Sequence, residues 1–237
     1  MYFYANHTMN SLRCLFQRKA FYFITFFTIC CFAAVLAGST GKIDCFIMLN
    51  GLHSKWMDLI FINLTFLGDG LFSIITAAFL LFVWKLRRLS LYIIVTYLVS
   101  GVAAQMLKRI FMAPRPKEII DSHLYSSFFA GITGSGWDSF PSGHTTSVFA
   151  LATILALYIN KKRWGLSFLI IAIFTGYSRI YLGQHFLQDV IAGAVLGTFI
   201  GTLIYTFVTF PKDKFRAKIS SATIPGDNAY SSGLSGN

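Results

Sequence analysis

Residues 190–210 read VIAGAVLGTFIGTLIYTFVTF, an uncharged stretch long enough to cross a bilayer as a single α-helix. Other apolar runs precede this stretch along the chain. They lie at 21–37, 71–84, 89–107, 147–159 and 166–177. The shorter runs must recruit neighbouring Gly, Ser and Thr residues to reach across. Such a series leaves little of the 237 residues for a soluble shell, so the sequence predicts an all-α bundle of six transmembrane helices.

The charge pattern fits a membrane protein better than a nucleic-acid-binding protein. Charged residues make up only 12% of the chain, whereas soluble domains carry about 25%. Basic clusters flank the apolar runs in alternate gaps. They comprise Arg13, Arg18 and Lys19; Lys85, Arg87 and Arg88; Lys161, Lys162 and Arg163; and Lys212, Lys214, Arg216 and Lys218. Because short loops rich in Lys and Arg stay in the cytoplasm, we expect both termini there, with the bilayer as a partner and no nucleic-acid partner.

This topology divides the chain into three parts. Residues 1–19 form a cytoplasmic N-terminal segment, 20–211 form the six-span domain, and 212–237 form a cytoplasmic tail. The end of that tail is rich in Ser, Gly and Asn, so we expect it to be disordered. Residues 117–140 contain several aromatic residues and glycines, which predict an extracytoplasmic, lid-like loop on the bilayer surface.

Ionisable side chains collect in three segments, all at the predicted extracytoplasmic ends of helices, where they indicate a functional site. The first segment, 108–116, reads KRIFMAPRP. Its prolines end the helix, so that Lys108 and Arg115 emerge near one membrane surface. A lone pair of such cations would be typical of charges at the membrane interface.

The second segment, 140–147, reads FPSGHTTS and predicts a helix start with Ser142 as its cap. A helix N-terminus presents unpaired backbone N–H groups to an anion, and Gly143 lets the anion approach closely. His144 by itself is more typical of a structural histidine. The third segment, 178–189, reads SRIYLGQHFLQD. His185 and Asp189 would share one face of a helix, where the carboxylate can orient the imidazole.

Together the three segments resemble the signature of the type-2 phosphatidic acid phosphatase superfamily. That signature is Lys, six residues and Arg-Pro; then Pro-Ser-Gly-His; then Ser-Arg, five residues, His, three residues and Asp. Every position is present here, in order. The resemblance implies that His185 attacks phosphorus, that Asp189 orients it, and that His144 acts as general acid and base. The implied phosphate-binding residues are Lys108, Arg115, Ser142, Gly143 and Arg179.

The resemblance further implies a lipid phosphatase that needs no metal ion or cofactor. The expected substrate is a lipid A phosphate, undecaprenyl diphosphate or phosphatidylglycerol phosphate. The compact chain is similar to bacterial members, which places it in the inner membrane with its site facing the periplasm or exterior. Asp69, in the sequence LGDG, is a further candidate for the site, with a helix-start residue as the alternative.

Two other functions stay open at this point, as do the identity of the lipid and the oligomeric state. The same nucleophile could pass phosphate to a hydroxyl acceptor, which would make the protein a phosphotransferase. An anion transporter could also use six helices. However, the chain has no internal repeat, and its polar residues lie at helix ends rather than at mid-depth.

Overall fold

The computed structural model describes residues 13, 15–121, 134–159 and 161–222, and these ranges contain helices, turns and loops but no strand. The all-α prediction is therefore confirmed for the described part of the chain. Half of the predicted lid-like loop (117–140), residues 122–133, lies outside the described residues. So do most of the N-terminal segment and the end of the tail, 223–237.

Nine helices are described by their bounds. They are α1 (Ala20–Thr40), α2 (Lys42–Asn50), α3 (Lys55–Leu64), α4 (Gly70–Phe82), α5 (Arg87–Phe111), α6 (Pro116–Ile119), α7 (Gly143–Tyr158), α8 (Lys162–Tyr181) and α9 (Leu187–Ala222). A 3₁₀ turn, Thr65–Gly68, joins α3 to α4. The last helix continues beyond residue 211, where the sequence predicted the spans to end.

Four of these helices, α1, α5, α8 and α9, are long and apolar enough to cross a membrane. α3, the 3₁₀ turn and α4 together are also long and apolar enough to cross, but the pair is bent by 64°. If it counts as one broken span, the described helices provide five spans. The sixth predicted span corresponds to α7, which has 16 residues. At 1.5 Å per residue it is about 24 Å long, shorter than a hydrocarbon core of about 30 Å. Six full crossings and the side on which the termini lie therefore stay predictions.

The short helix α7 lies at the centre of the bundle, with most of its side chains buried. It packs against α9 through glycines that recur every four residues: Gly193, Gly197 and Gly201. A Cβ at Gly197 would lie 2.3 Å from the carbonyl oxygen of Thr146, and one at Gly193 would lie 2.6 Å from that of Ser142. Small residues at such spacing let membrane helices approach at backbone distance. The contact brings the start of α7 against the start of α9.

The outer faces of the bundle remain strongly apolar. Phe32 and Val35 on α1 are 71% and 69% exposed, and Ile110 on α5 is 72% exposed. Large apolar side chains exposed in such numbers mark a surface that meets lipid or another protein. The bundle therefore suits a multi-pass membrane protein.

Candidate active site

The three polar segments meet at one end of the bundle. The amide of Arg115 donates to the carbonyl oxygen of Gly136 at 3.0 Å, which ties the first segment to the loop before α7. The amide of Ser142 donates to the carbonyl oxygen of Asp189 at 3.0 Å, which ties the second segment to the third. Segments that are far apart in sequence thus form one site.

A buried cluster of Ser139, His185 and Asp189 forms the centre of this site. The hydroxyl of Ser139 donates to Asp189 Oδ2 at 2.6 Å and lies 3.3 Å from His185 Nδ1. The direct distance from His185 Nδ1 to Asp189 Oδ2 is 3.5 Å, too long for a good hydrogen bond. Asp189 therefore acts on the imidazole both directly, through its charge, and through the Ser139 hydroxyl.

The position of His185 differs in one respect from the sequence expectation. His185 lies in the turn between α8 and α9, not on a helix shared with Asp189. The Asp189 carboxylate instead accepts a hydrogen bond from the amide of Phe186 at 2.9 Å, at the start of α9. It therefore satisfies a backbone donor of the helix start while it faces Ser139.

Burial sets the protonation state of His185. Its side chain is 2% exposed, and this burial lowers the pKa of His185 from 6.5 to about 4, against the opposing effect of the nearby Asp189 carboxylate. The ring is therefore neutral near pH 7. With Nδ1 turned toward Ser139, Nε2 is the ring nitrogen that can attack an electrophile.

The cations Lys108 and Arg115 share one carboxylate, that of Asp138. Lys108 Nζ lies 3.3 Å from Asp138 Oδ2, and Arg115 Nε lies 2.8 Å from Asp138 Oδ1. Arg115 Nη2 makes a second contact, 3.2 Å from Oδ2. The hydrogen bonds from Arg115 lower the pKa of Asp138 to about 2, so this carboxylate is charged under all ordinary conditions.

Arg179 lies deeper, on α8, and is only 3% exposed. Its two terminal nitrogens donate to Thr65 Oγ1 and Gln184 Oε1. Among the described residues, none accepts a hydrogen bond from its buried Nε. A buried donor of this kind usually has a partner, so the position suits an incoming anion.

The start of α7 has the predicted cap. Ser142 Oγ accepts hydrogen bonds from the amide and the hydroxyl of Thr145, at 3.4 and 2.9 Å. A Cβ built at Gly143 would meet nothing within 4 Å, so open space adjoins this backbone. An anion can therefore approach the helix N-terminus at Gly143.

His144 follows in the first turn of α7, within electrostatic range of Arg179, Asp69, His185 and Lys108. Gly68 packs directly on it, since a Cβ at Gly68 would lie 2.8 Å from His144 Cβ and 2.9 Å from its carbonyl oxygen. The neighbouring Asp69 caps α4 by accepting from the amide of Leu71 at 3.0 Å. This contact agrees with the helix-start alternative for Asp69, while its electrostatic range to His144 and Arg179 keeps it a candidate for the site.

Sequence reasoning identified neither Ser139 nor Asp138, and it assigned no role to Gln184 or Thr65. Ser139 and Asp138 directly precede the predicted helix start, and Gln184 directly precedes His185. The signal available in the sequence was that these polar residues adjoin the predicted site segments. Within the described ranges, no group of three or more His, Cys, Asp or Glu side chains is placed to hold a metal ion. The roles assigned to the individual site residues stay predictions.

Comparison with known proteins identifies one family and several relatives that are named as lipid phosphatases or diphosphatases. The model of the PAP2 superfamily matches residues 85–213. A lipid A 1-phosphatase of Rhizobium johnstonii is 37% identical over 47% of this chain and 45% of its own length, so this match spans about half of that relative. A lipid A 4'-phosphatase of Bacteroides thetaiotaomicron is 31% identical over 77% of this chain and 82% of its own length. The undecaprenyl-diphosphatase BcrC of Bacillus subtilis is 29% identical over 69% of this chain and 82% of its own length.

A solved structure shows the same architecture. The crystal structure of Aquifex aeolicus LpxE superposes with a TM-score of 0.59 at 28% identity, covering 69% of this chain and 93% of that one.

Proposed function

Because the chain belongs to the PAP2 superfamily, in the branch that holds membrane lipid phosphatases, we propose that it hydrolyses a lipid phosphate through a phosphohistidine on His185. The observation that carries the proposal is the Ser139–His185–Asp189 cluster, which presents a buried, neutral imidazole within electrostatic range of Arg179 and Arg115. A neutral imidazole is a nucleophile, whereas a protonated one is not.

Attack on phosphorus would begin at His185 Nε2. As the bond from nitrogen to phosphorus forms, positive charge develops on the ring. Asp189 stabilises that charge, partly through the Ser139 hydroxyl, and the Nδ1–H keeps the ring in the orientation needed for attack. The bond from phosphorus to the ester oxygen breaks on the opposite side.

Charge on the equatorial phosphoryl oxygens needs fixed donors in the transition state. Lys108, Arg115 and Arg179 would supply these donors, together with the backbone at Gly143. The unused Nε of Arg179 supports this assignment, because a phosphoryl oxygen would give that buried donor its missing partner. The open space beside Gly143 gives the phosphate room to reach the helix N-terminus.

His144 would complete the cycle as general acid and then general base. It would donate a proton to the departing oxygen, then withdraw one from the water that cleaves the phosphohistidine. This role needs a histidine held firmly at the pocket wall, and the close contact with Gly68 supports that requirement.

For the substrate, the relatives favour a lipid A phosphate or undecaprenyl diphosphate. Both carry a phosphate at the surface of a lipid, where a site at the end of a helical bundle would meet it. We further propose that the site faces away from the cytoplasm in a bacterial inner membrane, as the basic clusters between the helices suggest.

The test is phosphate release by the purified protein in detergent with EDTA, on a panel that also includes phosphatidylglycerol phosphate. We expect release by the wild type and none by His185→Ala. A radiolabelled substrate should leave an acid-labile, base-stable label on the wild type. Transfer of the label to an added hydroxyl acceptor, with no release of inorganic phosphate, would identify a phosphotransferase instead.

A matched control is available in His53→Ala. His53 also pairs with an aspartate, since its Nδ1 lies 3.2 Å from Asp58 Oδ1, and its side chain is only 9% exposed. This variant should keep the covalent label. If His185→Ala still became labelled at histidine, the assignment of the nucleophile would be wrong.

A further inference from the structure

Asp138 occupies the position that the proposed function gives to a phosphate. Its two carboxylate oxygens take the Nε and Nη2 donors of Arg115, at 2.8 and 3.2 Å, and one of them also reaches Lys108 Nζ at 3.3 Å. This parallel geometry is how arginine binds a carboxylate or a phosphate. The Asp138 carboxylate therefore occupies the paired Arg115 donors that an incoming anion would need.

The backbone on both sides of Asp138 is fixed. The amide of Ser139 donates to the carbonyl oxygen of Ala113 at 2.9 Å, and the carbonyl oxygen of Gly136 accepts from the amide of Arg115 at 3.0 Å. The amide of Gly136 also donates to Glu118 Oε1 at 2.7 Å. The loop cannot withdraw easily, so only the Asp138 side chain is free to leave the cations by rotating.

The exposure of Asp138 makes that rotation feasible. Its side chain is 53% exposed, whereas the side chains of Lys108 and Arg115 are 11% and 13% exposed. A carboxylate that swings outward enters solvent and is hydrated at once. The cations, in contrast, stay buried and would lack an anionic partner until another anion arrives, although Arg115 keeps its contact with Gln184 Oε1 at 3.5 Å.

We propose that Asp138 is an affinity-determining residue that occupies the anion site of Lys108 and Arg115 until the substrate phosphate displaces it. The inference rests on the proposed function of this site. A lipid phosphomonoester carries a charge of about −1.5 to −2 and three acceptor oxygens, so it can replace a carboxylate of charge −1. Inorganic phosphate, the product, must then compete with Asp138 as it leaves, and the returning carboxylate promotes its release.

The proposal predicts the sign of one substitution. Asp138→Asn preserves shape but removes the competing charge, so phosphate should bind more tightly. Because the Asp138 contacts are half exposed, we expect the inhibition constant of inorganic phosphate and the KM of a lipid phosphate to fall about fivefold. A residue that only positions Lys108 and Arg115 would give the opposite sign, since its loss would weaken phosphate binding.

The experiment measures product inhibition by inorganic phosphate and, without any turnover, the rise in Tm that inorganic phosphate causes in the detergent-solubilised protein. Glu118→Gln is the matched control, because it removes an acidic charge from the same loop assembly while its amide oxygen can still accept from Gly136. We expect tighter phosphate binding for Asp138→Asn and unchanged binding for Glu118→Gln. Asp138→Ala provides a second neutral variant with the same expected direction.

Weaker or unchanged phosphate binding in the Asp138 variants would overturn the proposal, as would an equal gain in Glu118→Gln. Failure of the proposed function has a different signature. In that case the wild type would release no phosphate from any lipid, while the Tm measurement would still test whether Asp138 competes with phosphate.

Discussion

Removal of the Ser139 hydroxyl is the sharpest test of how Asp189 controls His185. In Ser139→Ala the donor 2.6 Å from Asp189 Oδ2 is lost, and the remaining distance from His185 to that carboxylate is 3.5 Å. A hydrogen bond to a charged group contributes about 1.5–3 kcal/mol. If that contribution acts on the charge that forms in the transition state, kcat should fall about tenfold to a hundredfold.

The assay is steady-state phosphate release from a lipid phosphate, with kcat and KM determined separately. KM should change little, because Ser139 does not contact Lys108, Arg115 or Arg179 in the described structure. The acid limb of kcat should move to lower pH. The reason is that a protonated imidazole that has lost its Ser139 link to Asp189 is stabilised less, so the pKa of His185 falls.

Ser90→Ala is the control for loss of a buried hydroxyl. Ser90 is 5% exposed and donates to the carbonyl oxygen of Ala77 at 2.8 Å, between α5 and α4. It should lower the Tm without changing kcat. If Ser139→Ala kept kcat within about twofold of the wild type, or lowered it no more than Ser90→Ala did, the bridging role of Ser139 would be refuted.

Three further predictions follow from burial and close packing. Because the pKa of His185 is lowered to about 4, its ring is neutral above that pH, and the acid limb of kcat/KM should lie near pH 4 rather than near 6.5; a pH–rate profile checks this. Gly68→Ala should sharply reduce kcat for phosphate release by displacing His144. A Cβ at Gly101 would meet nothing within 4 Å, so Gly101→Ala should leave kcat unchanged in that assay. Gly197→Ala should destabilise the protein by about 1–3 kcal/mol or more, because its Cβ would lie 2.3 Å from a backbone oxygen of α7, and a thermal melt in detergent would show it as a lower Tm.

The long helices could be predicted from local pattern because an apolar run of about 20 residues has few other stable structures. The short helices were harder. Residues 42–64 mix polar and apolar side chains and contain no long apolar run, so the sequence predicted no element there, yet they form α2 and α3. The run at 71–84 became α4, which begins at Gly70 after the 3₁₀ turn. That turn brings Gly68 against His144, a tertiary contact that no local pattern specifies.

The site shows the same division between local and long-range information. The cap at Ser142 depends on residues three positions apart, so a local pattern predicts it well. The partner of Arg115 depends on how the loop before α7 docks onto the end of α5 and α6. That docking uses backbone groups, Ala113 with Ser139 and Arg115 with Gly136, which are the same for almost any side chain.

This difference explains why Asp138 could not be predicted as the partner of two cations. In the sequence it lies 30 residues after Lys108 and 23 after Arg115, and residues 122–133 of the segment between lie outside the described residues. Its role follows only from geometry, since a carboxylate next to a fork of donors competes with every other anion that reaches it. A motif that records only the cations therefore describes what the site can bind, while the affinity also depends on the anion that the chain itself supplies. The substitution of Asp138 by asparagine separates these two contributions, because it changes the competing anion and leaves all three cations in place.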